Sequence, residues 1–262
     1  MKIAVLMKQV VSCGDNTVET GGALRSAENT SINPSDMYAL ATAITQKRKD
    51  ESEIWVFTMG PAHASEILIE ACRLGADYLY RISDPLYGGS DTFVTAKILK
   101  RALDMCGPFD LILAGEKAID GETGQVPGAL AAFLDIPFAT SVIEMNDINE
   151  DTLQCQCLIE GTLMKVEMEK PCILAISCGV RGIEYPIVPS LKDLVKAKNA
   201  EMVVLDNAEL GFLAEEVGFT GSLTQVRRVQ KILRTRESKK IDSVDEAVAV
   251  TLKELSKIRG AQ

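Results

Sequence analysis

The chain has 262 residues, 47% hydrophobic and 25% charged, which is enough apolar material for a full core and too much for a disordered chain. A formal net charge of -9 argues against nucleic acid as the main partner, because that binding is driven by clustered lysine and arginine. No apolar run approaches the roughly 20 residues that span a bilayer, and seven scattered cysteines without a CxxC pair, beside a single histidine, point to free thiols in a reducing cytoplasm rather than a zinc site.

In chain order, residues 2–7 form an apolar strand, residues 36–47 have helical spacing, and residues 53–59 are apolar again. A helix over 62–74 closes at Gly75, a strand follows at 78–82, a helix at 91–105 ends near Gly107, and a strand occupies 109–114. A helix over 124–134 and a strand near 139–144 complete the series. Five strands alternating with four helices, joined by right-handed crossovers, give an α/β fold with a doubly wound, mainly parallel, Rossmann-like sheet. Residues 152–159, 163–169 and 172–177 are closely spaced strand-like runs, the first two joined across Glu160-Gly161-Thr162, and read as an antiparallel addition. Alternation places Cys155 and Cys157 on one strand face.

Past Tyr185 the pattern loosens into a lysine-rich turn at 192–198, a short strand at 202–205, a glycine-rich stretch at 211–221 and an amphipathic helix at 244–258. Val248, Leu252 and Leu255 line one face of that helix, facing its own core or another chain. The expected organisation is a nucleotide-binding domain over 1–185 and a C-terminal arm over 186–262.

The segment 115–126 is a polar turn at the mouth of a strand, where open α/β sheets bind anions and nucleotides. Gly115, Gly121 and Gly124 permit close approach of a ligand, and Thr123, Gln125 and the first-turn N–H groups of the next helix offer donors to phosphate. It fits neither a Walker A motif nor GxGxxG. Parallel strands deliver the loops at 8–13, 33–36, 59–61 and 88–92 to the same side. Two of them also have a purely structural explanation: Asn33-Pro34-Ser35-Asp36 and Ser90-Asp91-Thr92 can each be a turn and helix cap. His63, a lone imidazole at a helix start, reads as a cap or surface group, and no Ser/His/Asp or Cys/His set can be assembled around it.

These residues resemble one family over nearly the whole chain: the beta subunit of electron-transfer flavoproteins. The resemblance rests on Lys8-Gln9-Val10, Ile32-Asn33-Pro34 with Asp36, Met59-Gly60-Pro61-Ala62, Gly75-Ala76-Asp77, Gly89-Ser90-Asp91-Thr92, and Ala118-Ile119-Asp120-Gly121 continuing through Thr123 to Gln125-Val126. It implies a heterodimer with a larger, FAD-carrying alpha subunit, and an adenine nucleotide held here by Leu6, Lys8, Asn33, Asp36, Met59, Gly60, Ser90, Asp91, Thr92, Ala118, Asp120, Gly121, Thr123, Gly124, Gln125, Val126, Thr224 and Gln225. In simple members that nucleotide is AMP. In electron-bifurcating members it is a second FAD that takes a hydride from NADH, with ferredoxin or flavodoxin as low-potential acceptor. Gly121 and the run Gly221-Ser222-Leu223-Thr224-Gln225-Val226 are similar to the bifurcating group. Residues 191–198 are similar to the family's recognition loop, which makes Leu191 the residue that docks into an acyl-CoA dehydrogenase. The chain departs from the family at Val11, where proline is usual, and at Pro127-Gly128, where the order is reversed. Rival readings are a one-flavin carrier with structural AMP and a stand-alone ATP-binding stress or signalling protein.

Overall fold

The computed structural model describes residues 1–11, 18–19, 22–23, 30–225 and 240–259, and the chain divides into two compact units, Met1–Val229 and Gln230–Gln262. The first unit opens with β1 (Lys2–Leu6), β2 (Gln9–Val11), β3 (Val18–Glu19), β4 (Gly22–Ala23), β5 (Thr30–Ile32), α1 (Pro34–Asp50), β6 (Glu53–Met59), α2 (Ser65–Leu74), β7 (Tyr78–Ile82), α3 (Thr92–Cys106), β8 (Leu111–Gly115) and α4 (Val126–Leu134). It continues with β9 (Phe138–Ile148), β10 (Thr152–Ile159), β11 (Thr162–Glu169), β12 (Cys172–Arg181), α5 (Leu191–Lys198), β13 (Met202–Leu205), α6 (Asn207–Leu210) and α7 (Gly218–Gly221).

Nine strands form one sheet in the order β11-β10-β9-β12-β8-β1-β6-β7-β13. From β9 to β13 every neighbouring pair is parallel, whereas β10 runs antiparallel to both β9 and β11. The expected doubly wound sheet is therefore present. Its central strands read as unbroken apolar runs because both faces are covered. On β1, Ile3 and Val5 pack with α1 and α2, while Ala4 and Leu6 pack with α3 and α4. Ile3, Ala4, Val5 and Leu6 thus each serve the core on one side or the other.

Two expectations are corrected. The run at 172–177 is not part of the antiparallel addition, because β12 inserts between β8 and β9, parallel to both. Cys172, Ile173, Leu174, Ala175 and Ile176 are all buried, and such a run needs cover on two faces. β11, by contrast, is exposed along most of its length and takes the edge. The second correction is at 192–198, which is helix rather than turn: Ser190 caps α5 by accepting the Asp193 N–H at 3.1 Å. The strand at 202–205 forms as expected, pairing with β7 as the opposite sheet edge. Cys155 and Cys157 share a buried face with their sulfurs 4.0 Å apart.

In the second unit, α8 (Val244–Arg259) starts at Ser243, whose hydroxyl accepts the Glu246 N–H at 3.2 Å. Val244, Val248, Leu252 and Leu255 of α8 are exposed. Among the described residues no helix is long and apolar enough to cross a membrane.

Candidate nucleotide site

Strand order reverses beside β1: α1 carries the chain from β1 outward to β6, and α3 brings it back to β8 on the other flank. In open α/β sheets, the crevice beyond the strand ends at that reversal is where ligands bind. Lys8 leaves β1 there, residues 116–125 leave β8 there, and the first turn of α1 sits between them.

Asn33 and Asp36 join these three segments. The Asn33 N–H donates to the Lys8 carbonyl at 3.0 Å. Its side-chain amide donates to the Lys117 carbonyl at 3.0 Å and to Asp36 Oδ1 at 2.9 Å, while its Oδ1 accepts the Ile119 N–H at 3.2 Å. Asp36 also accepts the Lys8 N–H at 2.7 Å on Oδ2 and the Gly115 N–H at 3.1 Å on Oδ1. Both residues are buried, so both are saturated by protein groups and act by holding the crevice in shape. Above them Lys8 Nζ donates to Asp120 Oδ1 at 2.7 Å, which bridges the β1 and β8 loops at the surface.

Burial pushes the Asp36 carboxyl up to about 7, against the Asn33 amide, the Lys8 and Gly115 N–H groups and the Lys8 charge, all of which pull it down. A carboxyl raised on folding contributes stability below its unfolded value, and that contribution is lost as pH rises through the folded value. Wild type should therefore lose stability relative to Asp36→Asn as pH rises from 3.8 to about 7. Denaturant melts of both across that range check this, and parallel curves would refute it.

A second group forms at the start of α3. Asp91 caps the helix by accepting the Val94 N–H at 3.0 Å on Oδ1, while its Oδ2 accepts the Thr224 N–H at 2.8 Å and hydroxyl at 3.0 Å. Burial raises this carboxyl, but the Val94 and Thr224 donors outweigh it and hold Asp91 below the usual value. The Asp91 N–H donates to Ser222 Oγ at 2.8 Å, and Gln225 Nε2 donates to the Phe219 carbonyl at 3.1 Å. Thr92 Oγ1 donates to Gln125 Oε1 at 2.8 Å, tying this group to the head of α4.

The structure thus brings Lys8, Asn33, Asp36 and Asp120 into one network and Asp91, Thr92, Gln125, Thr224 and Gln225 into a second at the heads of α3 and α4, while Ala118, between Lys117 and Ile119, accepts the Glu122 N–H at 2.8 Å. Thr123, Gly121 and Gln125 are exposed on the loop between, and Val126 begins the helix. Gly124 has φ 62° and Glu122 φ 51°, so the loop makes two left-handed steps. Met59 ends β6 and Gly60 follows it, with the Gly60 N–H on the Ile82 carbonyl at 3.0 Å. Leu6 is buried in the core as the last residue of β1, and Ser90 Oγ turns back to the Tyr87 carbonyl at 2.7 Å. His63 lies in a short 3-10 turn, its carbonyl accepting from Gln9 Nε2 at 3.4 Å. Val226, Arg227, Arg228 and residues 12–13 lie outside the described residues.

Sequence reasoning missed several groups. In sequence Gly115 counts among the glycines that give a ligand room, yet a Cβ there would stand 2.2 Å from Asp36 Oδ1. Ser222 holds the 218–225 segment to the α3 loop, and Glu116 accepts hydroxyls from Ser141 at 2.9 Å and from Ser177. A glycine at a strand end was the one available signal; the serine contacts have none in sequence.

Comparison with known proteins shows the family. Residues 20–210 match the electron transfer flavoprotein domain. The chain is 34% identical to electron transfer flavoprotein subunit beta of Thermoanaerobacterium thermosaccharolyticum, over 86% of each chain. It is 32% identical to subunit CarD of the caffeyl-CoA reductase-Etf complex of Acetobacterium woodii, over 87% of each. Protein FixA of Sinorhizobium fredii is also 32% identical, over 97% of this chain and 92% of the relative. On these matches, which span most of its length, the chain belongs to the beta-subunit family of electron-transfer flavoproteins.

Proposed function

We propose that this chain is the nucleotide-binding subunit of a cytoplasmic, heterodimeric, bifurcating electron-transfer flavoprotein, and that it holds FAD over the crevice between β1 and β8. The observation that carries the reading is the exposed loop at 116–125, held from beneath by Asn33 and Asp36 and presented at the reversal of strand order. Gly121 supports a ligand there. Its φ lies outside the left-handed region and a Cβ on it would meet no protein atom within 4 Å, so nothing in the protein itself calls for glycine. A bound group lying against the loop does.

Thr123, Gln125 and the N–H groups opening α4 would hold the phosphates, with Gln125 oriented by Thr92. Lys8 and Asp120 would close the loop over the nucleotide, and Met59, Gly60, Ser90, Asp91, Thr224 and Gln225 would border it. When bound, FAD supplies hydride acceptance and one-electron transfer, while the protein supplies position and electrostatics. The Thr224–Gln225 segment, held by Asp91 against the α3 loop, favours FAD over AMP because it adds polar groups beyond those around the adenine nucleotide loops.

The names of the relatives support a flavoenzyme partner: caffeyl-CoA reductase and, in Anaerotignum propionicum, acryloyl-CoA reductase. Leu191, highly exposed at the head of α5, would dock an acyl-CoA dehydrogenase, and residues 186–262 would meet the alpha subunit and that partner. NADH would be the donor, and ferredoxin or flavodoxin the low-potential acceptor.

The test is the flavin and AMP content of the heterodimer purified with its alpha partner, followed by anaerobic NADH. Two FAD with rapid bleaching are expected. One FAD with one AMP and no bleaching would replace the reading with a simple carrier, and ATP bound without an alpha partner would replace it with a signalling protein. Thr123→Ala and Gln125→Ala should each weaken nucleotide retention by about 1–3 kcal/mol, one buried hydrogen bond apiece. Nucleotide content after dialysis measures this, and unchanged content would remove both from the cradle.

A further inference from the structure

Gly75-Ala76-Asp77, one of the motifs that carried the family resemblance, lies at the opposite end of the sheet from the nucleotide loops and plays no part in them. It closes α2 and enters β7, and all three residues present acceptors to two lysines. Lys47, near the end of α1, donates to the Gly75 carbonyl at 3.0 Å and to Asp77 Oδ2 at 2.5 Å. Lys196, on α5, donates to the Ala76 carbonyl at 3.0 Å and to Asp77 Oδ1 at 2.9 Å. The Ile54 N–H completes Asp77 at 2.9 Å.

α5 needs such a tie. It has eight residues, of which only Ala197 is buried, so neither helix propensity nor apolar burial can hold it in place. Its leading apolar residues face solvent instead: Leu191 is 82% exposed and Val195 61%. The preceding segment is fixed from the same helix α1, where Arg48 pairs with Glu184, Thr45 Oγ1 accepts the Glu184 N–H at 3.1 Å, and the Tyr38 and Tyr185 rings stack at 4.2 Å.

We propose that Asp77 is a positioning residue for partner docking: through Lys196 it holds α5 on the sheet, so that Leu191 and Val195 meet the acyl-CoA dehydrogenase already ordered. This rests on the reading of Leu191 as the docking residue. An exposed apolar ridge held in advance loses less freedom on binding than one that orders on contact. Asp77 does this without touching the partner, since its carboxylate is satisfied by Lys47, Lys196 and Ile54. Lys192 and Lys198, exposed on the same helix, fit a partner socket that is apolar within and acidic at its rim.

The test uses the holo heterodimer and an acyl-CoA dehydrogenase purified from the same organism by its turnover with wild type. Apparent KM for the heterodimer, kcat and nucleotide content are measured for Leu191→Ala, Lys196→Met, Lys196→Arg and Asp77→Asn. Lys196→Met should raise KM roughly fivefold or more, with kcat and nucleotide content unchanged, and Lys196→Arg should recover most of the loss because it restores a donor to Asp77. Asp77→Asn should act in the same direction, and Lys196→Met carries the test if that variant does not fold. Wild-type KM in Lys196→Met beside a raised KM in Leu191→Ala would overturn the positioning role and leave docking at Leu191 standing. Wild-type KM in Leu191→Ala would overturn both. Loss of nucleotide in Lys196→Met would also overturn the proposal, by showing a general structural role.

Discussion

Gly115→Ala should destabilise the chain and empty the crevice in one step. A Cβ at this position would lie 2.2 Å from Asp36 Oδ1, 2.7 Å from Ser35 Cβ and 2.8 Å from the Asp36 nitrogen. None of these can withdraw cheaply, because the Asp36 carboxylate is pinned by Lys8 and Asn33 and its nitrogen is part of the α1 backbone. Overpacking of this kind costs about 1–3 kcal/mol, and displacement of Asp36 adds the loss of its bonds to Lys8 and Gly115. Thermal unfolding and nucleotide content of the purified heterodimer check the result. Gly121→Ala is the informative contrast: with nothing within 4 Å it should melt like wild type yet retain less nucleotide. A Gly115→Ala variant with wild-type melting would disprove the close packing of α1 on β8.

Asn33→Ala should cost about 2–4 kcal/mol, since it leaves the buried Asp36 Oδ1 and the part-buried Lys117 carbonyl and Ile119 N–H each short of a partner, at up to about 1–3 kcal/mol apiece before relaxation. The side chain of Asn33 links the head of α1 to the loop after β8 at two points, 3.0 Å to Lys117 and 3.2 Å to Ile119. Without it the loop loses its floor, and nucleotide retention should fall more than in Thr123→Ala, although Asn33 is buried. Denaturant unfolding and retained nucleotide measure the two parts separately. Retention equal to that of wild type would show that the loop holds its shape alone.

Much of this architecture was legible in the sequence because it is written in local patterns. The apolar runs at 53–59, 78–82, 152–159 and 202–205 coincide with β6, β7, β10 and β13. Parallel strand ends then brought the loops together without further information. What was not legible is non-local. Nothing in the spacing of Cys172 to Ile176 says which neighbours will cover it, only that two must. The sequence of α5 reads as a turn because its lysines mask a short apolar stripe of Leu191, Leu194 and Val195, and its main anchor, Asp77, is more than a hundred positions away. In the site, Asn33 and Asp36 carried an equally good local explanation as a turn and cap. Only the structure shows that their side chains reach backbone groups of Lys117, Ile119 and Gly115.

The insertion of β12 between β8 and β9 sets an order on assembly. β1, α1, β6, α2 and β7 can zip together from neighbouring segments, and β8 can then add beside β1, but β9 has no parallel partner until the chain has gone out through β10 and β11 and returned. During that interval the apolar flank of β8 and the inner edge of β9 face an empty lane. Strand edges that wait in this way for a later partner are open to other chains meanwhile. The lane between β8 and β9 is therefore open to other chains until β12 fills it, and substitutions that slow the β10–β11 hairpin should lower the yield of folded protein more than their effect on final stability would suggest.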